Sequence, residues 1–343
     1  MKINIKKKYL IEIWCTFACL FHLYTAAVGV FPPLIQRSIH LLLLLPLTFI
    51  VFPNKNNKKY AKLLDIILII LSIITIFYIT LNAESIDKRI IYLDKVTPIQ
   101  MIFGTILITL VLEATRRAVS IAMSIFAVVF ISYVFLSPYL PGILYHRPIM
   151  FPRFIEIIYL FQDDGIFGMI TGVSATYIFI FVLLASMISG LGIGKLFTDI
   201  SYKLAGRGKG GPAKVAVISS ALFGTISGIA TANVYATGSF TIPMMKKLGY
   251  DPAFAGSVEA AASTGGLLMP PIMGVGAFVI AELVGVSYFD VCKAAIIPAI
   301  LYYFGILISV HYISINSNLK SVEMKDIPSM SFLLCKIFLV FSH

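Results

Sequence analysis

Two stretches of this chain carry small polar residues where an apolar span would carry leucine and isoleucine. The first, GTISGIATANVYATGSFTIP, runs from Gly224 to Pro243, and the second, ASTGGLLMPPIMG, from Ala262 to Gly274. The first, with the turn before it, offers hydroxyls at Ser219, Ser220, Thr225, Ser227, Thr231, Thr237 and Ser239, a carboxamide at Asn233, and Gly224, Gly228 and Gly238. The second offers Ser263, Thr264, Gly265 and Gly266, closed by Pro270 and Pro271. Two successive prolines remove two backbone donors and free the carbonyls near Gly266 and Leu267. Hydroxyl, amide and carbonyl oxygens suit a hard cation such as Na+, and the N-termini of half-helices attract anions. Bare backbone in hydrocarbon costs several kcal/mol per unsatisfied group, so it persists only where protein or an internal cavity covers it. Paired interruptions of this kind point to the ion and substrate region of a membrane carrier. The mechanical alternative is close helix crossing at the first stretch and a plain proline kink at the second.

Glu259, on the segment leading into the second interruption, is one of few carboxylates at apparent membrane depth. Intramembrane acids are functional candidates by default, yet Glu259 sits only about two turns from Asp251, within reach of an aqueous end. Glu282 reads as interfacial, Glu113 with Arg116 and Arg117 as a charged rim, and His22 and His40 as packed side chains. The glycine-rich SGLGIGK and GRGKGGPAK do not match GxxxxGK[ST] and follow no strand, which excludes a phosphate loop. No Ser-His-Asp set, paired carboxylates or HExxH is present, so the chain does not read as an enzyme and calls for no cofactor. Cys15, Cys19, Cys292 and Cys335 lie in apolar segments and read as small buried hydrophobes.

The elements that would position these residues are membrane helices. Of 343 residues, 59% are hydrophobic and 13% charged, and the mean hydropathy is +0.95. Soluble domains average roughly 45–50% apolar and about 25% charged. The net charge of +11 lies in short loops beside apolar spans, where it sets orientation and does not indicate nucleic acid. Apolar spans are predicted at 10–31, 34–52, 62–82, 98–115, 118–137 and 166–194, then a hairpin at 213–243, a broken span at 252–286 and a last span at 288–312. The fold class is therefore an all-α polytopic membrane protein, with about eight spanning helices, a re-entrant helical hairpin and a broken helix. Every basic cluster falls on the cytoplasmic side of the cell inner membrane if the N-terminus is cytoplasmic and residues 213–243 enter and leave on that same side. The run after MKINIKKKYL is long and Ala26–Ala27–Val28 is a poor cleavage site, so a retained first helix is expected over a signal peptide. Residues 150–161 and 195–206 read as interfacial helices, and 331–342 as the beginning of a further span. From Gly165 onward Gly, Ala, Ser and Thr become frequent, which permits close packing.

The phrases GPAKVAVISSALFGTISG, NVYATGSFTIPMMKKLGY, AGSVEAAASTGG, LMPPIMGVGAFVIAE and AAIIPAILYY, in that order, resemble the large membrane subunit of tripartite ATP-independent periplasmic (TRAP) transporters. PLIQRSIHLLLLLPLTFIVFP, LEATRR and SPYLPGILYHRP extend the resemblance to the fused permease of the TAXI subgroup. The resemblance implies a small-permease-like module at 1–115, a connecting span and outer segment at 116–165, the first repeat of the large permease at 166–315 and a tail at 316–343. It implies sodium-coupled uptake of an organic acid by an elevator motion, with substrate delivered by an extracytoplasmic solute-binding protein. By that match Gly224, Ser227, Gly228 and Asn233, with Ser263, Thr264, Gly265 and Gly266, line the ion and substrate region, and Thr237 joins them from the first interruption. Ser227, Asn233, Thr264 and Gly265 are the candidate Na+ ligands. Ile229 and Leu267 depart from the family pattern by one hydroxyl and one amide. The family has two inverted repeats, so the resemblance implies truncation after the first, with the second half of the permease as a partner if it is encoded separately. The alternative is a non-transporting membrane fragment or scaffold subunit.

Overall fold

The computed structural model describes residues 5–54, 59–190, 193–206 and 210–316, and those residues are helical with no strand among them. The expected short span at 331–342 lies outside the described residues, as do Cys335 and part of the turn GRGKGGP. Among the described residues, seven helices are long and apolar enough to cross a membrane: 9–28, 33–51, 60–81, 98–118, 121–139, 169–187 and 288–316. Most of each is unburied within the chain, with between 11% and 44% of the tested window inside. On the fifth of these, Ile125, Phe126, Val129 and Phe130 are exposed and only Ser124 is buried between residues 121 and 136. Such a surface suits lipid and not water.

The chain divides into two units, Met1–Thr176 and Tyr177–His343. The first contains α1 (Ile5–Val28), α2 (Pro33–Val51), α3 (Lys59–Leu81), the short α4 (Ala83–Asp87), α5 (Pro98–Ala118), α6 (Ile121–Leu136), α7 (Phe151–Ile155) and α8 (Met169–Val173). Thr97 and Gln100 form a capping box that starts α5, satisfying two orphan donors reciprocally. Its core gathers Phe49, Ile76, Ile79, Leu107, Leu110 and Tyr159. Three polar fasteners cross this core. Trp14 Nε1 donates to Leu43 O at 2.7 Å. Arg117 pairs with Asp65 and Glu113 at 2.6 Å each, so the rim read from Glu113, Arg116 and Arg117 also binds α3 to α5. His22 and His40 are buried and bonded to each other, Nε2 to Nδ1, at 2.8 Å. Ala18 O accepts from His22 Nδ1 at 2.7 Å, so His40 Nδ1 donates to His22 and Ser174 Oγ donates to His40 Nε2 at 3.0 Å.

The second unit contains α9 (Phe179–Gly190), α10 (Ile193–Ala205), α11 (Gly211–Ser227), α12 (Ala230–Lys247), α13 (Pro252–Thr264), α14 (Val275–Val284) and α15 (Tyr288–Asn316). Helices α11 and α12 are the two arms of a hairpin that doubles back at Gly228. Gly211 and Lys247 therefore lie at one end, and Ala213, Ala216 and Val217 share a core with Met245 there. Helix α13 stops at Thr264, a 3-10 turn covers Gly265–Leu267, and α14 begins only at Val275, which gives the broken helix.

Candidate functional site

The turn between the hairpin arms is two residues long. Gly228 takes φ +58°, the left-handed region that suits glycine, and Ile229 is extended before α12 begins. A Cβ at Gly228 would lie 2.6 Å from Met273 O, so the second interruption presses against the first at this point. Ile272 N also donates to Thr225 O at 3.1 Å, which gives one of the terminal carbonyls of α11 a partner from the other interruption. One turn back, Gly224 and Gly266 meet backbone to backbone: a Cβ on Gly224 would come within 2.7 Å of Gly266 Cα. Glycine is required at position 224, and a Cβ on Gly266 would be tight, 3.1 Å from Gly224 Cα.

Asn233 lies at this crossing, fully buried, with its amide nitrogen 3.0 Å from where a Gly266 Cβ would be. Its Nδ2 donates to Ser220 O at 2.9 Å, tying one arm of the hairpin to the other. The first interruption, read in the sequence as Gly224 to Pro243, is uncoiled over a much shorter stretch. The uncoiled residues are Gly228 and Ile229, and Asn233 occupies the first turn of α12, its N–H bonded to Ile229 O at 3.0 Å. The amide still bridges two strands of chain, but from a helix.

A step deeper along the hairpin, Glu259 of α13 is 0% exposed and is held by four hydroxyls. Ser220 Oγ from α11 and Ser263 Oγ from its own helix donate to Oε1 at 3.1 and 3.0 Å. Thr237 Oγ1 of α12 donates to the same oxygen, and Thr241 Oγ1 to Oε2. Among the described residues no basic side chain pairs with Glu259. Hydroxyls supply the hydrogen bonds that a buried carboxyl requires, but they bring no opposite charge. A second hydroxyl pair, Thr198 with Ser219 at 3.0 Å, extends the polar seam to α10.

Not every expected residue joins this cluster. Gly224, Asn233 and Gly266 meet at the crossing, and Thr237 and Ser263 meet on Glu259. Ser227, the last residue of α11, is buried with a hydroxyl that has no hydrogen-bond partner. Thr264 is exposed, and its hydroxyl donates to Ala260 O one turn back on the same helix. Gly265 packs under Tyr302 and Tyr303 of α15, whose hydroxyls donate to Ala261 O and Ala262 O at 2.8 and 3.1 Å and so cover the carbonyls at the end of α13. Thr241 and the central place of Glu259 were missed from sequence. The signal was there: Asn233, Thr237 and Thr241 repeat every four residues, and Glu259 with Ser263 does the same, which puts each set on one helix face. The first unit has a separate cavity of about 250 Å³, lined by Arg89, Glu156, Asp87 and Asp163 among others, and it contains none of these residues.

A helical hairpin and a broken helix whose interruptions bond to each other, around a buried polar cluster and among helices of spanning length, are the kind of elements from which membrane carriers build their binding sites. Residues 106–340, more than half of the chain, match the family model described as "Tripartite ATP-independent periplasmic transporter, DctM component", and the chain belongs to that family. It is 29% identical over 152 residues to the C4-dicarboxylate TRAP transporter large permease protein DctM of Vibrio cholerae, covering 44% of this chain and 31% of that protein. It is 34% identical over 121 residues to the uncharacterized protein y4mL of Sinorhizobium fredii (35% of this chain, 28% of that one). A third relative, the uncharacterized protein YgiK of Salmonella typhimurium, is 35% identical over 91 residues (26% and 21%). The chain thus spans less than a third of the length of each of these relatives. It is a multi-pass membrane protein, and its family is one of transporter permeases and not of enzymes.

Proposed function

We propose that this chain supplies one wall of the transport path in a TRAP-type secondary transporter that takes up an organic acid with Na+. The observation that carries the reading is the bonded pair of interruptions, Ile272 N to Thr225 O, beside the Gly224–Gly266 crossing. An extracytoplasmic solute-binding protein delivers the substrate, and the remaining permease portion supplies the opposite wall. The relative from Vibrio cholerae, a permease for C4-dicarboxylates by name, supports a carboxylate as the substrate class. Sodium is held at the hairpin tip. The unpartnered Ser227 hydroxyl and the carbonyls between Leu267 and Gly274 offer hard oxygens there, while Thr264, turned outward onto Ala260 O, contributes its backbone. The N-terminus and the basic loops face the cytoplasm.

The test is uptake of labelled organic acids into proteoliposomes containing this chain, the remaining permease portion and the solute-binding protein, under an inward Na+ gradient. Accumulation that depends on all three components and collapses with the gradient is the expected result. Absence of uptake with every component folded in the membrane would overturn the reading in favour of a non-transporting scaffold.

A further inference from the structure

The second interruption is held from two sides, and its backbone groups divide between them. Ile272 N donates to Thr225 O of the hairpin at 3.1 Å. The groups on either side of it, Pro271 O and Met273 N, both go to the hydroxyl of Tyr288, the first residue of α15. Tyr288 Oη donates to Pro271 O at 2.7 Å and accepts from Met273 N at 3.1 Å, the two roles open to a phenol. The peptide groups joining Pro271 to Ile272 and Ile272 to Met273 are trans, so in each the C=O and the N–H point to opposite sides. Holding Met273 N–H on the Tyr288 side therefore sends the Ile272 carbonyl the other way, toward the hairpin. The contacts agree: a Cβ on Gly228 would meet Met273 O at 2.6 Å and Ile272 O at 3.1 Å. Beside Gly228 lies Ser227, whose buried hydroxyl has no hydrogen-bond partner.

The ring that carries this hydroxyl is itself fixed. It stacks on Phe278 of α14, with centroids 4.1 Å apart and planes 2° from parallel. Phe181 of α9 lies 5.3 Å from Phe278 and 5.9 Å from Tyr288, so three helices set the ring. The start of α15 is capped by Ser287, whose Oγ accepts from Asp290 N at 3.2 Å.

We propose that Tyr288 is a positioning residue for sodium: its hydroxyl turns the Ile272 carbonyl onto the hairpin tip, beside the Ser227 hydroxyl, and holds it there. The inference rests on the carrier reading with sodium at the tip. Tyr288 is not a ligand in it, because its proton is committed to Pro271 O and it stands on the far side of the peptide from the tip. A carbonyl already aimed at the ion needs no ordering when the ion arrives, whereas a loose one must be ordered at each binding event. Without the hydroxyl, Pro271 O and Met273 N lose this partner and both peptide groups are free to turn. Sodium then binds more weakly, and transport at saturating sodium is unaffected.

Tyr288→Phe removes the hydroxyl and keeps the stacked ring. Tyr250→Phe is the control, since it removes another hydroxyl of the same unit, one that pairs with Ser314 far from the interruption. Organic-acid uptake into proteoliposomes with all components, measured against external Na+, reads the effect. In Tyr288→Phe the half-saturating Na+ concentration should rise about tenfold while the maximal rate stays at the wild-type value. In Tyr250→Phe the half-saturating concentration should not move. Hydrogen exchange on the purified chain in nanodiscs gives a readout that needs no transport: the Met273 amide should exchange faster in Tyr288→Phe and at the wild-type rate in Tyr250→Phe. An unmoved half-saturation in Tyr288→Phe, a lower maximal rate alone, an equal shift in Tyr250→Phe, or unchanged exchange at Met273 would overturn the proposal. Wild-type uptake that ignores Na+ would remove the sodium reading and this proposal with it, whereas Na+-driven uptake with an unmoved half-saturation removes the proposal alone.

Discussion

At the scale of single residues, backbone contact is the governing quantity. Gly224 has no room for a methyl group, so Gly224→Ala must displace the neighbouring backbone and should destabilise the second unit by about 1–3 kcal/mol. Gly276→Ala, where an added Cβ meets nothing within 4 Å, should leave stability unchanged or slightly raised. Thermal unfolding in matched detergent distinguishes the two, and equal effects would mean the crossing is not tight. Asn233→Ala removes the bridge to Ser220 O inside a buried seam and should cost about 1–3 kcal/mol by the same measurement. Which residues cluster was partly legible in sequence. Glycine, hydroxyl and amide at one interruption marked Gly224, Asn233 and Thr237, because that mixture has no use on a lipid-facing span. Glu259 and Thr241 were harder, because a carboxylate two turns from a helix end looks the same in sequence whether it faces water or a ring of hydroxyls.

At the scale of elements, the hairpin turns in two residues and not over a long unwound stretch. The sequence from Thr231 to Ser239 looks too polar and too small to remain helical in an apolar setting. It remains helical because α13 buries those hydroxyls and gives Thr237 and Thr241 a partner in Glu259. Tertiary partners override composition there, and a single sequence does not display partners. The hairpin form itself came from charge, since Lys214 and Lys247 required one side. Single cysteines replacing Lys214 and Lys247 should therefore react together with a membrane-impermeant maleimide from the same face, and labelling from opposite faces would exclude the hairpin. In the first unit, Arg117→Met would strand Asp65, whose partner Arg117 has a side chain only 5% exposed. Loss of such a pair costs about 3–5 kcal/mol, to be read as a lower unfolding temperature, with Arg116→Met, 45% exposed, as the mild control.

At the scale of the whole molecule, the all-helical class was evident from hydropathy alone, because a 59% apolar chain with blocks of about 20 residues has one stable form in lipid. Among the described residues seven helices meet the length and hydropathy of a span, and the two hairpin arms are not among them. Reporter fusions after Asn54 and after Arg147 should report opposite sides of the membrane, cytoplasmic for the first. The reverse result would overturn the orientation derived from the basic loops.

Helix α15 also works as a depth gauge. Its 29 residues measure about 44 Å, close to the full thickness of a bilayer with its headgroups. Gly210 abuts Ser314 near one end of this gauge, and Tyr302 and Tyr303, which cover the tip of α13, stand at its midpoint, about 22 Å from Tyr288. Helix α11 rises only about 26 Å from that same end. Gly224 and Gly265 both lie against Tyr303, so the tip of the hairpin stands beside the middle of α15, and a ligand held there would be remote from both ends of that helix.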